Sequence, residues 1–363
     1  MVRRHATIVV APIASAAAIC LVLLALSWPT LVARPRQLAV AITGQSQAVA
    51  STAAAITARS GDAIDLVHVS DRAAAVSAIK KRQAIGAVVL NPARPEVLTA
   101  SAAGSAEQQV MAQLASGLQQ QLHEQPPQQS PQQSPQQSPQ RSAQQGSGAA
   151  AATRLTVTDV VPLSADDPTG SRLAIAGLPL ALGGVLGGAL LSSVLSGVRR
   201  QLIGLAGYAV FAGLGLAAVL GPWYGAFQGA YVLGAAAIAM ILLAVAAVVI
   251  GLRRLLGPTG FAVAACLFIL GATPLSGATV PRDFLPGPWA QLGGWFPQGA
   301  GNTLLRDLSY FPDASTAGSW LVAAAWTGIG VALILLSLRR AVARTAADST
   351  GSTHRASAAP AVS

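Results

Sequence analysis

The stretch GAYVLGAAAIAMILLAVAAVVI, Gly229–Ile250, decides the fold class because it runs for 22 residues without a charged side chain. A helix of about 20 apolar residues crosses the bilayer hydrocarbon with its backbone hydrogen bonds satisfied. Four further apolar runs flank this stretch: Leu173–Leu195, Leu202–Leu220, Phe261–Gly277 and Trp320–Leu338. The sequence therefore predicts a five-helix transmembrane domain over residues 173–340.

A sixth apolar run, Ala6–Trp28, follows Arg3 and Arg4 at the N-terminus. A basic start before an apolar core is also typical of a signal peptide, and Leu31–Ala33 is an acceptable cleavage site. The run is longer than the usual 7 to 15 residues of a signal core, which favours an uncleaved anchor. We therefore predict that residues 1–31 form a cytoplasmic N-terminus and the first transmembrane helix. The predicted fold class is a mainly α membrane protein with a six-helix transmembrane bundle.

Residues 32–172 have the composition of a water-exposed region. Short strand patterns at 38–42, 64–69, 84–90 and 96–100 alternate with helix patterns at 71–81 and 105–122, and a last strand is predicted at 154–161. These elements predict a small extracytoplasmic α/β domain between the first and second transmembrane helices.

A Gln/Pro-rich insert interrupts this domain, with prolines recurring every four residues from Pro127 to Pro139. Such a segment buries too little apolar surface to offset its chain entropy, so residues 125–148 are predicted to be disordered. We favour a spacer over a partner-binding segment on composition. The polar residues 341–363 are predicted to form a disordered cytoplasmic tail.

The distribution of arginine predicts the orientation. Arginine pairs occur at every second boundary between the apolar runs, as Arg199–Arg200, Arg253–Arg254 and Arg339–Arg340. The segments on that side hold ten of the 23 basic residues and only one of the 13 acidic residues. The positive-inside rule then places both termini in the cytoplasm of a multi-pass plasma-membrane protein and residues 32–172 outside. Five of the six tryptophans, including Trp295, are predicted at the outer interface, and only Trp326 is predicted to lie deeper.

Several kinds of chemistry have no residues to support them. The six apolar runs contain no Asp, Glu, His, Lys or Arg, so an ion-coupled carrier is disfavoured. The phosphate-binding loop of an ATPase is missing, and the four histidines and two cysteines have no metal-binding spacing. We therefore predict no enzyme activity, no catalytic or metal site, no cofactor and no nucleic-acid partner. Any active transport would depend on a separate ATPase.

Two motifs remain open to structural or functional interpretation. Overlapping G-x-x-x-G pairs from Gly183 to Gly188 allow close helix contact, and we favour packing within one subunit over a dimer seam. The proline-rich loop 273–319 is either an outer gate or re-entrant lining, or a structured loop that caps the bundle. Within it, Gly299–Tyr310 is predicted to form a short helix along the interface. The candidate pathway or gate residues are Thr273, Pro274, Ser276, Arg282, Asp283 and Trp295.

The layout resembles the ABC-2-type membrane proteins, specifically the phage infection protein (Pip) branch. The similarity lies in AAAVSAIKKRQAIGAVVLNP at Ala73–Pro92, in the segments Val161–Gly170 and Gly177–Leu180, and in Leu285–Trp289 with Trp295–Pro297. The resemblance covers residues 1 to about 340. It implies a bacterial permease-like protein that exports lipidic, drug-like or secreted compounds with an ATPase encoded elsewhere.

Two functions therefore stay open. The first is the membrane subunit of an ABC-2-type exporter, acting as a homodimer or beside a second permease, with the arginine-rich side contacting the ATPase. The second is a non-transporting anchor that presents the outer domain for envelope assembly, secretion or phage attachment. In both, the lipid bilayer is a partner.

Overall fold

A computed structural model describes residues 2–91, 94–124, 155–165, 167–170, 172–173, 177–225, 229, 231–278 and 280–357. The chain divides into two compact units. The helical unit contains residues 1–34, 164–310 and 315–363, and the α/β unit contains residues 35–163 and 311–314. The predicted disordered insert, residues 125–148, lies outside the described residues.

The described elements follow the chain in this order. The helices are α1 Val2–Val32, α2 Ser46–Ser60, α3 Arg72–Lys80, α4 Ser105–Glu124, α5 Gly177–Val194, α6 Val198–Ala218, α7 Tyr231–Leu256, α8 Pro258–Ala265, α9 Pro288–Trp295, α10 Pro297–Tyr310 and α11 Ala317–Ser357. The strands are β1 Leu38–Gly44, β2 Ile64–His68, β3 Gly86–Leu90, β4 Glu96–Thr99 and β5 Thr156–Asp159.

The α/β unit is built on a five-stranded sheet of order β2-β1-β3-β4-β5. β1 is parallel to β2 and β3, β4 is antiparallel to β3, and β5 is parallel to β4. The five predicted strands are therefore confirmed. Val40, Val88 and Val97 of the sheet form a core with Met111 and Leu118 of α4. Gly86 makes this packing possible, because a side chain there would occupy the place of the Met111 thioether.

The predicted helices of this unit are also present. α3 starts where the sequence predicts, since the Asp71 carboxylate accepts a 2.8 Å hydrogen bond from the Ala74 N–H and caps the helix. α2 was not predicted. Its sequence is rich in alanine and polar residues, and only Val49 and Ile56 are buried, so its hydrophobic pattern is weak.

Helix α7 is the centre of the helical unit. It contacts α5, α6, α8, α10 and α11. Its residues from Ile241 to Gly251 are almost all buried, including Ile241, Leu242 and Val245. A helix that is apolar on all sides is stable only where other apolar groups surround it.

Three helices are long and apolar enough to cross a membrane: Val198–Trp223, Tyr231–Leu256 and Ala317–Arg340. Three shorter apolar helical stretches lie at Ile19–Val32, Pro179–Val194 and Pro258–Ala272. All six fall on the predicted apolar runs. The three long helices indicate membrane association.

The predicted G-x-x-x-G residues pack inside the chain. A side chain at Gly184 would overlap Val245, and one at Gly188 would overlap Ala246 and Val249, so these glycines let α5 lie directly on α7. Pro179 is the third residue of α5. In the first turn of a helix, proline removes no backbone hydrogen bond.

The last helix is longer than its apolar run. α11 continues to Ser357, although residues 341–363 are predicted to form a disordered tail. Four of the eight residues 341–348 are alanine, the strongest helix former, which allows the helix of the apolar run to propagate. Residues 358–363 lie outside the described residues.

Candidate functional site

Residues 273–310, here called the hairpin cap, lie between α8 and α11. The chain leaves α8 through a π-helical turn, Cys266–Ala272, and then forms the helices α9 and α10. The predicted short helix in this loop is therefore present. π-helical turns inside apolar helices are frequent at functional sites because they shift the backbone hydrogen-bond register.

The hairpin cap inserts along the central helix. Leu308 lies next to Gly229 just before α7, Leu304 and Leu305 pack with Ile238, and Gly301 leaves room for Ile241. Ile241 is ten residues into α7, which at 1.5 Å per residue is about 15 Å from its start. α10 thus runs antiparallel to α7, and its first residues, Pro297 and Gln298, lie farthest along α7 from Gly229.

The polar side chains of the hairpin cap converge on the π-helical turn. The Phe268 carbonyl accepts hydrogen bonds from the Thr273 N–H at 3.2 Å, the Thr273 hydroxyl at 2.9 Å and the Gln298 amide at 3.4 Å. Gln298 is only 4% exposed, and its side-chain oxygen has no hydrogen-bond partner among the described residues. A buried amide oxygen without a partner carries a desolvation cost, so this position is suited to a polar ligand or water.

Ser276 extends the same cluster. Its hydroxyl donates to the Thr273 carbonyl at 2.8 Å, and its own carbonyl accepts from the Asn302 amide at 3.2 Å. Pro274 and Ser276 are buried in this turn.

Arg282 connects the segment before α9 with both helices of the hairpin cap. Its guanidinium donates to the Thr303 hydroxyl at 2.8 Å and lies against Gly277 and Gly294, where side chains would block it. Thr273, Pro274, Ser276 and Arg282 are therefore all held within the hairpin cap. Asp283, in contrast, is exposed at its surface.

Trp295 lies apart from the polar cluster, next to Trp326 of α11. The Trp326 indole N–H donates to the Trp295 carbonyl at 2.6 Å. Trp326 also stacks on Phe296 and meets Phe268 edge-on. Trp295 therefore lies beside Trp326, and it is 70% exposed. Its predicted place at the outer interface stays a prediction.

The first helix is tied to the same region. The Trp28 and Trp289 rings meet edge-on with centroids 5.5 Å apart, and the Arg34 N–H donates to the Phe284 carbonyl at 3.0 Å. Near the end of α10, burial raises the pKa of the Tyr310 hydroxyl, and the charge of Asp167 acts in the same direction.

The opposite end of α7 carries the arginine pairs, and here the structure separates residues that the sequence treats alike. Arg254 donates to the Ser337 hydroxyl at 2.8 Å and to the Gln201 side-chain oxygen at 2.9 Å, and Gln201 donates to the Leu195 carbonyl at 2.8 Å. These contacts connect the ends of α5, α6, α7 and α11. Arg253 donates to the Ala189 carbonyl at 3.1 Å.

The other two arginine pairs, Arg199–Arg200 and Arg339–Arg340, are exposed. They remain accessible to a partner, whereas Arg253 and Arg254 are half-buried in the helix ends. Gln201, Ser337 and Gln298 were missed in the sequence because uncharged polar residues do not stand out in an apolar run. The position of Gln201 directly after Arg199–Arg200 was the available signal.

Among the described residues, no group of three or more His, Cys, Asp or Glu side chains is placed to hold a metal ion. The chain matches no protein-family profile, and neither the curated proteins nor the solved structures include a significant match to it.

Proposed function

We propose that the chain is the membrane-spanning, permease-like subunit of an ABC-2-type exporter that relies on a separate ATPase. In this proposal all six apolar helices span the plasma membrane, both termini are cytoplasmic and residues 32–172 are extracytoplasmic. The observation that carries the proposal is the depth of the hairpin cap, which reaches Ile241 and positions the buried Gln298 beside a π-helical break.

A re-entrant hairpin is expensive inside a bilayer. Irregular backbone at membrane depth is tolerated where protein buries it or where it lines a polar path. Broken helices and buried polar groups near the midplane are typical of transporters, since a substrate path needs polar groups there. An anchor requires neither. The exposed pairs Arg199–Arg200 and Arg339–Arg340 supply a basic surface for an ATPase on the cytoplasmic side.

The proposal is tested by its effect on an ATPase partner. Purification in detergent is expected to retain an ATPase, and ATP is expected to drive accumulation of a lipidic or drug-like probe into inverted vesicles. R199Q/R200Q should reduce ATPase retention, whereas R36Q/R94Q, which removes two exposed arginines of the α/β unit, should not. Absence of any associated ATPase, together with ATP-independent accumulation, would refute it.

Two glutamine variants, one buried and one exposed, test the role of the hairpin cap. Q298L should abolish accumulation without lowering the melting temperature. The substitution removes a buried oxygen that has no hydrogen-bond partner among the described residues, and the only hydrogen bond it loses is the long one of 3.4 Å to the Phe268 carbonyl. Q291L changes an exposed glutamine of α9 and should leave accumulation unchanged. Equal behaviour of the two variants would count against a path at Gln298.

The orientation is tested by cysteine labelling. Because Cys20 and Cys266 are exposed, the test starts from C20A/C266A. Q128C should react with an impermeant reagent in intact cells, and S349C only after permeabilisation. The reverse pattern would overturn the orientation and the docking side.

A non-transporting anchor is the alternative, favoured by the compact α/β unit and by apolar runs without ionisable residues. Replacing residues 173–340 with unrelated transmembrane helices separates the two functions. Retained function in envelope assembly, secretion or phage attachment would support the anchor, and loss would support the permease.

A further inference from the structure

A groove of about 580 Å³ runs between α5 and α6. Its walls come from α5 between Gly183 and Ser193, from Tyr208 of α6 and from Arg253 of α7. We call it the α5–α6 groove. Ten residues of α5 cover about 15 Å at 1.5 Å per residue, which equals about half the 30 Å hydrocarbon thickness of a bilayer. The groove therefore has the length of an acyl chain in one leaflet.

The groove exists because of a glycine. A side chain at Gly187 would overlap the Tyr208 ring, so the ring lies flat against α5 and its hydroxyl donates to the Gly183 carbonyl at 2.6 Å. Leu186 and Leu190 are 59% and 63% exposed beside it. The α5–α6 groove therefore has an apolar wall, and the Tyr208 hydroxyl is already hydrogen-bonded.

Arg253 gives one end of the groove a positive charge. The bond to the Ala189 carbonyl uses one of five guanidinium N–H donors. No acidic residue occurs between Asp167 and Asp283. The charge of Arg253 is thus not balanced by a carboxylate in this part of the chain.

We infer that the α5–α6 groove binds an acidic phospholipid, with one acyl chain along Leu186 and Leu190 and the phosphate on Arg253. Arginine suits this role because its planar guanidinium bonds phosphate oxygens in a bidentate manner. Basic pockets between transmembrane helices are known to recognise anionic head groups. The inference rests on the membrane placement in the proposed function and is independent of transport and of an ATPase.

Lipid binding is measured with the full chain purified in detergent. Native mass spectrometry and thermal unfolding would compare added phosphatidylglycerol with phosphatidylcholine. We expect retention of phosphatidylglycerol and a rise in melting temperature that phosphatidylcholine does not match. R253Q should weaken phosphatidylglycerol binding about tenfold, the value of one lost charge-assisted hydrogen bond. R340Q, which removes an exposed arginine at the end of the apolar run, is the matched control and should bind normally.

Two further variants keep the test decisive if R253Q folds poorly. R253K retains the charge and should preserve part of the preference for phosphatidylglycerol. L190W fills the groove from an exposed position and should reduce binding with the arginine intact. Three results would overturn the inference: equal binding of both lipids, equal losses in R253Q and R340Q, or stabilisation by free glycerol phosphate as strong as by phosphatidylglycerol. None of these results bears on ATP-dependent accumulation, so the proposed function is tested separately.

Discussion

Helices α6 and α7 are both apolar enough to cross a membrane, but their surroundings differ. In the most apolar window of α7, 72% of the residues are buried inside the protein, whereas the corresponding share is 22% in both α6 and α11. Phe211 of α6 is 79% exposed, and Ile241 of α7 is fully buried. Apolar side chains exposed over this area would be unstable in water and are stable against lipid.

Two different forces act on these apolar helices. In the proposed membrane placement, lipid contacts hold α6 and α11 in the bilayer without fixing their neighbours. The position of α7 is fixed by close packing, because lipid tails and leucine are equally apolar and only shape distinguishes them. Substitutions on α7 should therefore matter through volume, and substitutions on the exposed faces should matter little.

The largest expected effect is steric and occurs where α11 meets α7. In G330V the new side chain would overlap Ala247 and the Val248 backbone, and backbone cannot move aside. We expect a loss of about 3 kcal/mol or more in the free energy of unfolding, measured by thermal or denaturant unfolding in detergent. G328V, two residues away on the same helix, meets open space and is the control. Similar losses in both variants would contradict the placement of α11 on α7.

The second effect concerns the polar network at the end of α7. R254Q removes the donors to Ser337 and Gln201, and the buried Gln201 amide then loses a charged partner. We expect about 1.5–3 kcal/mol of destabilisation. R340Q should change stability by less than about 0.5 kcal/mol, because its guanidinium is exposed. An R254Q protein as stable as R340Q would mean that the network does not connect the helix ends.

A smaller effect compares the same residue type on the two helices. I238V deletes one methyl group from a fully buried position of α7 and should cost about 1 kcal/mol. I203V makes the same change at a 63% exposed position of α6 and should cost less than about 0.5 kcal/mol. If the two costs were equal, the contrast between the helices would fail.

The smallest effect lies on the water-exposed surface of the α/β unit. Arg72 donates to Glu96 at 2.7 Å and 2.9 Å, and this hydrogen bonding lowers the pKa of Glu96. A carboxyl with a lowered folded-state pKa stabilises the fold above its unfolded pKa of about 4.3, and the contribution is lost as the pH falls through the folded pKa. Exposed pairs contribute little, so E96Q should be only slightly destabilised at pH 7.

The readout for this pair is amide hydrogen exchange in β3 and β4 of the full chain, compared with wild type at each pH. The difference between E96Q and wild type should shrink as the pH falls below about 4. If the difference in exchange between E96Q and wild type grew towards acidic pH, it would contradict a lowered pKa of Glu96.

Much of this architecture could be predicted from the sequence, for identifiable reasons. Charge-free runs such as Gly229–Ile250 leave a helix in lipid as the only favourable state, and Asp71 directly marks the start of α3. The contrast between Gly328 and Gly330 could not be predicted, because it depends on which face of α11 meets α7. The same holds for Arg253 and Arg254, whose side chains turn to different helices from adjacent positions.

The candidate site also has features that could be predicted from the sequence and features that could not. Its position in the loop before the last helix was predicted, as was the short helix in it. The depth of the hairpin cap was not, because prolines and polar residues in a loop normally indicate a surface position. The contact of Gly301 with Ile241 marks how far the insertion reaches, and it joins residues 60 positions apart.

The environment of Phe211 provides the most direct test of the lipid-facing position of α6. In a C20A/C266A background reconstituted in liposomes, a nitroxide on F211C should collide readily with oxygen and rarely with a water-soluble nickel chelate. The same nitroxide on R36C of the α/β unit should show the opposite preference. Nickel collisions at position 211 as frequent as those at position 36 would contradict the assignment of α6 to the lipid.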